Sequence, residues 1–221
     1  MNRSIPSIII ESAIVMVLLT FQCTASTQRP DTLRREFADS LCLQASFHVD
    51  TLHQYNTAIE LFSRSIRIYR SLNDKAGEAN ALSLLGFPYR DLGQYDSAIV
   101  SYEQSLALWR QLRDDEGEAN ALNSIGEAYQ YLSEYEKSNQ FFSKAFAIAR
   151  KLRIEEGQGA ILSTMALNQT YLGQYEKAIA TYERARRIFK RISHAEGESA
   201  SLTSIGFNYY FLNRYDTAIA Y

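Results

Sequence analysis

Three histidines, two cysteines and a scatter of carboxylates are the side chains here that could hold a metal, move a proton or attack a substrate. His48 and His53 stand five residues apart, which does not align them on one helix face, and His194 is remote from both. That spacing gives no metal site, because ligands must converge from one side. The carboxylates Asp114-Asp115-Glu116 and Glu155-Glu156 fall where helices are expected to begin. A helix N-terminus favours negative charge and explains them without acid–base catalysis. The phosphate-binding pattern G-x-x-x-x-G-K-[ST], the dinucleotide pattern G-x-G-x-x-G and the nucleophile pattern G-x-S-x-G are all missing. The sequence therefore predicts no catalytic residues, no metal and no cofactor.

Charge narrows the partners. With 23 Lys and Arg against 25 Asp and Glu, a net charge of −2 gives no electrostatic reason to expect nucleic acid or an acidic membrane. The tightest basic cluster, Arg184, Arg186, Arg187, Lys190 and Arg191, belongs to one expected helix and reads as a solvated flank rather than a phosphate-binding patch.

What must position any functional residue is a repeat. Gly77, Gly117, Gly157 and Gly197 follow one another at intervals of 40, as do Tyr95, Tyr135, Tyr175 and Tyr215, and Tyr55 extends the second series upstream. Self-similarity of this length marks stacked supersecondary units, each unable to bury its apolar face alone. Within the second unit, Leu82, Leu85, Gly86, Tyr89 and Leu92 keep helical spacing. A second stripe then runs through Tyr95, Ala98, Ile99, Tyr102, Leu106, Leu108, Trp109 and Leu112. Each unit is thus a helical hairpin with a turn of two or three residues. Asp74 and Asp114 are placed to cap first helices, whereas Ile154 and His194 predict weaker starts or a cap from Ser193. Cys42 takes a position that is leucine in the other copies and reads as a small buried hydrophobe; Cys23 falls within the leader.

Leu82-x2-Leu85-Gly86-x2-Tyr89 followed by Ala98-x3-Tyr102 resembles the tetratricopeptide repeat, with leucine where that family often has tryptophan. Leu122-x2-Ile125-Gly126-x2-Tyr129 and Leu202-x2-Ile205-Gly206-x2-Tyr209 repeat the match. Ala178-x3-Tyr182 completes a fourth copy whose first helix departs at Ala166 and Gln169, and Tyr55, Ala58 and Phe62 keep a worn first copy in register. The resemblance implies an all-α fold, an α-solenoid in which antiparallel helical hairpins stack into a right-handed superhelix. It covers residues 36–221 as about four and a half repeats, the last truncated. The period of 40 and Arg110 in place of the family's proline are similar to the long-repeat branch that includes kinesin light chain. Armadillo and HEAT repeats share the period but lack the Gly-x2-Tyr and Ala-x3-aromatic spacing.

Small residues are expected to let two backbones approach, with Gly86, Gly126 and Gly206 on first helices and Ala58, Ala98 and Ala178 on second ones. Pro88 should remove a hydrogen bond and bend its helix, by drift or to a purpose. Ser138-Asn139, replacing a small-then-apolar pair, reads as local degeneracy that loosens an interface, ahead of a binding adaptation.

The first residues follow another logic. Arg3 precedes an apolar run whose uninterrupted part, Ser12 to Phe21, is ten residues, suited to an export signal and too short to span a bilayer. Residues 1–25 are read as a signal peptide cleaved after Ala25, with 26–35 as a linker, so the protein is expected in the periplasm, the cell envelope or outside the cell rather than anchored in the membrane. At the other end the repeat stops seven residues into a helix, which predicts a fragment with a tendency to self-associate there.

In this family the first helices line a concave groove, and carrying that lining over residue by residue gives Asn80, Ser83, Leu84, Phe87 and Arg90 in the second unit. The third gives Asn120, Asn123, Ser124, Glu127 and Tyr131; the fourth gives Ser163, Thr164, Leu167 and Tyr171; the fifth gives Thr203, Ser204, Phe207, Tyr210 and Phe211. Amides, hydroxyls and rings suit an extended peptide, so the resemblance implies a non-catalytic module that binds a protein or peptide partner. The alternative is the sensing or recruiting part of a longer enzyme, such as the CHAT peptidases or signalling kinases into which bacterial proteins of similar layout continue. Arg90 is nearly the only cation of the groove, which argues against the clamps that hold acidic C-termini.

Overall fold

The computed structural model describes residues 30–221, and the expected leader and residues 26–29 of the expected linker lie outside it. The described residues form α1 (Pro30–Asp50), α2 (Tyr55–Ser71), α3 (Lys75–Asp91), α4 (Tyr95–Leu112) and α5 (Asp115–Tyr131). They continue as α6 (Tyr135–Lys151), α7 (Glu155–Tyr171), α8 (Tyr175–Arg191), α9 (Ala195–Phe211) and α10 (Tyr215–Ile219). Odd-numbered helices are the first of each hairpin and even-numbered helices the second. The 30–35 part of the expected linker is helical instead. Proline at the first helical position has its φ already set and no N–H to satisfy, Asp31 meets the positive helix end, and Arg35 reaches Asp74 at 2.9 Å.

Turns repeat every 20 residues, each built on one left-handed residue: His53, Asn73, Gly93, Arg113, Ser133, Arg153, Gly173, Ser193 and Asn213. Around it the preceding helix closes with paired bonds, such as Asn73 N–H to Arg70 carbonyl and Asp74 N–H to Tyr69 carbonyl, at 3.1 and 2.9 Å. The residue after the left-handed one then starts the next helix. Asp74 and Asp114 accept from Gly77 and Gly117 N–H at 3.0 and 2.8 Å, as expected. Where the sequence suggested Ser193, the cap is His194, whose Nδ1 accepts from Gly197 N–H at 2.9 Å, because Ser193 is spent on the left-handed turn.

The core runs along the stack between successive helices. Ala58, Ala98, Ser138 and Ala178 are fully buried, and the rings of Phe62, Tyr102, Phe142 and Tyr182 follow four residues later. The glycines opposite work differently from the backbone contact expected of them. A Cβ on Gly86 would lie 2.1 Å from the Tyr102 ring, and one on Gly126 would lie 2.8 Å from the Phe142 ring. Each glycine admits an aromatic face from its own hairpin; only Gly206 faces backbone, the Ala218 carbonyl, at 3.2 Å. Gly77, Gly117 and Gly197 repeat the device between units, against Tyr69, Trp109 and Phe189. Cys42 is buried as expected, with its sulfur 2.9 Å from the Ser65 hydroxyl, and burial pushes its thiol pKa up.

Pro88 sits buried near the end of α3, which continues to Asp91. Ser138-Asn139 does not loosen its interface. Ser138 donates to the Gly126 carbonyl at 2.7 Å, and the Asn168 amide donates to Ser138 at 2.9 Å and to Asn139 at 3.0 Å, so the polar pair is a connected buried network.

Candidate functional site

Successive odd-numbered helices touch directly, α1 with α3 and α7 with α9, which places them on the inner side of a curved stack. All the groove residues expected from sequence lie on α3, α5, α7 and α9. Their environments differ. Asn80, Asn120 and Thr203 are exposed, while Ser83, Asn123, Ser124, Ser163, Thr164 and Ser204 are half-buried. Ser83 shares a hydrogen bond with Ser105 of its own hairpin at 2.7 Å, so it braces the unit more than it faces a partner. Thr164 and Thr203 return their hydroxyl protons to the Ala160 and Ser199 carbonyls, leaving only lone pairs to offer. Asn123 is tied to Glu127 at 2.7 Å.

The aromatic members have a structural role that sequence reasoning missed. Tyr131 stacks on Tyr95 with ring centroids 5.4 Å apart, Tyr171 on Tyr135 at 5.0 Å, and Phe211 on Tyr175 at 5.2 Å. Every stack joins the start of an even-numbered helix to the end of the next odd-numbered one, and the recurrence of tyrosine at 95, 135 and 175 was its visible signal. One face of each ring is used in this way. Tyr131, Tyr171 and Phe211 nevertheless stay 56, 58 and 50% exposed, so the remainder is open to a partner. Leu167, Phe207 and Tyr210 are exposed without such a stack to a preceding unit, and Phe207 and Tyr210 border with α10 a largely apolar cavity of 630 Å³.

Beneath these residues the groove floor is cross-linked. Arg90 pairs with Glu127 at 3.5 Å, Gln130 donates to Asn168 at 2.6 Å, and Thr170 donates to Asn208 at 2.9 Å. Asn168 and Asn208 are fully buried and their bonds keep them affordable in the core. Sequence reading passed over Gln130, Asn168, Thr170 and Asn208 because each reads alone as an ordinary polar helix residue.

Charge is concentrated at one end. The Arg90 guanidinium donates through Nε and Nη2 to Asp91 at 3.1 Å, and lies 5.2 Å from the Phe87 ring centre and 5.9 Å from that of Tyr131. Burial alone would lower its pKa; Asp91 and Glu127 hold it above the ordinary value. Glu127 is pushed up by burial, against the opposing pull of Arg90 and Asn123. Below them Tyr102 is wholly buried, its hydroxyl has no hydrogen-bond partner, and its pKa is raised by desolvation. The groove of α7 and α9 carries no charged residue at the expected lining positions.

The basic cluster of α8 is a flank, as read: Arg186 pairs with Glu183 and Glu198, and Arg191 with Glu155. Among the described residues no helix is long and apolar enough to cross a membrane.

The sequence profile of the tetratricopeptide repeat matches residues 78–151 and 157–221. No curated protein sequence matches the chain. Among solved structures it is similar to kinesin light chain nearly identical TPR-like repeats from Podosopora anserina, at 19% identity and a TM-score of 0.71 over 88% of this chain and 93% of that one. A signal transduction ATPase with numerous domains and a tetratricopeptide repeat sensor, from Pyrococcus horikoshii, matches at 16% identity and a TM-score of 0.75, over 91% of this chain but 31% of that one. A Rap protein complexed with Competence and Sporulation Factor matches at 16% identity and a TM-score of 0.65, over 88% and 53% of the two chains.

Proposed function

We propose, from the premise that this chain belongs to the tetratricopeptide repeat family, that it is a protein-interaction module, without catalysis of its own, that binds an extended segment of a partner along its odd-numbered helices. The coarse part of this reading follows from the repeat fold, which serves as a scaffold for protein–protein contacts. The finer part rests on one observation: the inner face combines half-exposed rings at Tyr131, Tyr171, Phe207 and Tyr210 with amides at Asn80, Asn120 and Asn123. Rings cover apolar side chains of an extended segment while amides bond its backbone in both senses. The Rap protein held with its factor supports a ligand-binding use of such a fold. A selection of short random peptides against the full chain tests the reading. Selected peptides should bind saturably and lose roughly tenfold in affinity with Phe207→Ala or Asn123→Ala, the size of one interface anchor. Failure to select any peptide refutes it.

A second reading, a sensing or recruiting region within a longer enzyme such as a CHAT peptidase or a signalling kinase, is supported by the 31% share of the ATPase chain that the match occupies. We further propose export directed by residues 1–25, on the ten-residue apolar run from Ser12 to Phe21. N-terminal sequencing of the mature protein tests it; a chain still starting at Met1 in the cytoplasm refutes it.

A further inference from the structure

The bonds that cross-link the groove floor share a position. Arg90, Gln130 and Thr170 lie 40 residues apart, and each reaches the next odd-numbered helix, at Glu127, Asn168 and Asn208. In the first unit the same position is Asp50, at the end of α1. There the rung fails. The second unit offers Phe87 and Pro88 where later ones offer Glu127, Asn168 and Asn208, and neither side chain has a donor. Asp50 stays exposed, with no side-chain partner among the described residues.

Beside it opens a cleft of 360 Å³ with apolar walls from Val49, Phe62, Leu84 and Phe87 and carboxylates of Asp50 and Asp91 in its lining. Arg90 shows what this place holds well: its guanidinium lies against Phe87 and donates twice to one oxygen of Asp91, leaving the other oxygen, Oδ2, without a partner. Asp91 and Glu127 pair with that one cation, and Asp50 lines the same cleft without such a pair. An acidic ligand would meet net repulsion and a guanidinium already paired. A long cationic side chain meets the reverse, an apolar wall for its methylene stem and open oxygens for its head.

We propose that this cleft receives the lysine or arginine side chain of the bound segment, its stem along Val49, Leu84 and Phe87 and its charged head between Asp50 and Asp91. The proposal rests on the groove being a peptide-binding face and states the chemistry of the partner at one end of it. A second observation supports it. Arg90 has a second carboxylate in reach, Glu127 at 3.5 Å. An Arg90 displaced from Asp91 by an incoming cation keeps Glu127, so the exchange strands no charge. At the other end, the uncharged lining of α7 and α9 fits apolar or aromatic residues of the same segment.

The test uses peptides selected from a random library on the full chain, resynthesised with norleucine or alanine in place of each lysine or arginine. Selected peptides should share a cationic residue at a fixed distance from their apolar residues. Asp50→Asn should weaken them roughly two- to fivefold, the size of an exposed ion pair, and leave the neutral versions unaffected. Because Asp50 is exposed and unpartnered, this change leaves the fold intact. Peptides with no shared cationic position, or an affinity indifferent to Asp50→Asn, overturn the proposal and leave the groove reading standing. If no peptide is selected, both fall.

Discussion

Replacing Tyr102 with phenylalanine should stabilise the protein, and the same change at Tyr182, 80 residues along, should destabilise it. The two tyrosines occupy equivalent positions on α4 and α8 and are 0 and 4% exposed. Their hydroxyls differ. That of Tyr102 has no hydrogen-bond partner, whereas that of Tyr182 lies near the hydroxyls of Ser204 and Thr170, either of which can satisfy it. An unpartnered buried hydroxyl carries a desolvation cost of about 1–3 kcal/mol, while a partnered one contributes a net 0.5–1.5 kcal/mol, roughly. Phenylalanine keeps the ring that fills Gly86's missing side chain, and Phe142 already occupies the intervening unit, so packing is preserved. We therefore expect Tyr102→Phe to gain about 1 kcal/mol and Tyr182→Phe to lose about 1 kcal/mol. In a chain of this size each corresponds to a shift of roughly 2–4 °C in Tm. The assay is urea unfolding followed by fluorescence of the single tryptophan, Trp109, which lies on Gly117 beside the altered unit. Helix circular dichroism runs in parallel, since repeat arrays lose units separately. Loss of stability in Tyr102→Phe would show that the hydroxyl is satisfied in solution and would refute the reasoning.

Other changes test the architecture. Gly126→Leu should destabilise the third and fourth units together by at least ~1–3 kcal/mol, because any side chain there enters the Phe142 ring; an unchanged melting curve sinks that account. Arg113→Gly should raise stability by about 0.5–1 kcal/mol, since Arg113 holds a left-handed turn with φ of 57° in which glycine is unstrained; thermal melting at matched salt decides it. Asn168→Leu should cost about 2–4 kcal/mol by leaving Ser138, Asn139 and Gln130 with unmet groups, and hydrogen exchange should show the loss in α6 and α7 first.

The period and the helical spacing make the hairpins legible in the sequence, because stacking forces the same apolar positions to recur. Gly126, Tyr129 and Ala98 could be placed by type alone. What stacking does not force was harder to read. Left-handed turns every 20 residues are filled by His, Asn, Arg, Ser or Gly, so the two glycines, Gly93 and Gly173, showed only part of the rule. The aromatic stacks join residues 36 apart, a separation set by the geometry of the unit rather than by its period, and Tyr131 therefore looked like a free binding residue. Ser138-Asn139 looked like decay because its meaning depends on Asn168, a residue on the next helix. Polar networks are specified by pairs, and a single sequence displays only their separate members.

The groove's function thus turns on positions where the repeat changes its residue while its geometry stays constant. Asp50, Arg90, Gln130, Thr170 and Tyr210 are one position in five units. Three of them are used to bond the next helix, Tyr210 instead packs edge-on against Tyr215 at 5.4 Å, and Asp50 has nothing to bond. A position whose structural task is discharged elsewhere in the array, yet which keeps an acidic side chain beside an apolar cleft, is poorly explained by stacking. Its charge is free for a ligand, and the sign of that charge states which ligand it suits.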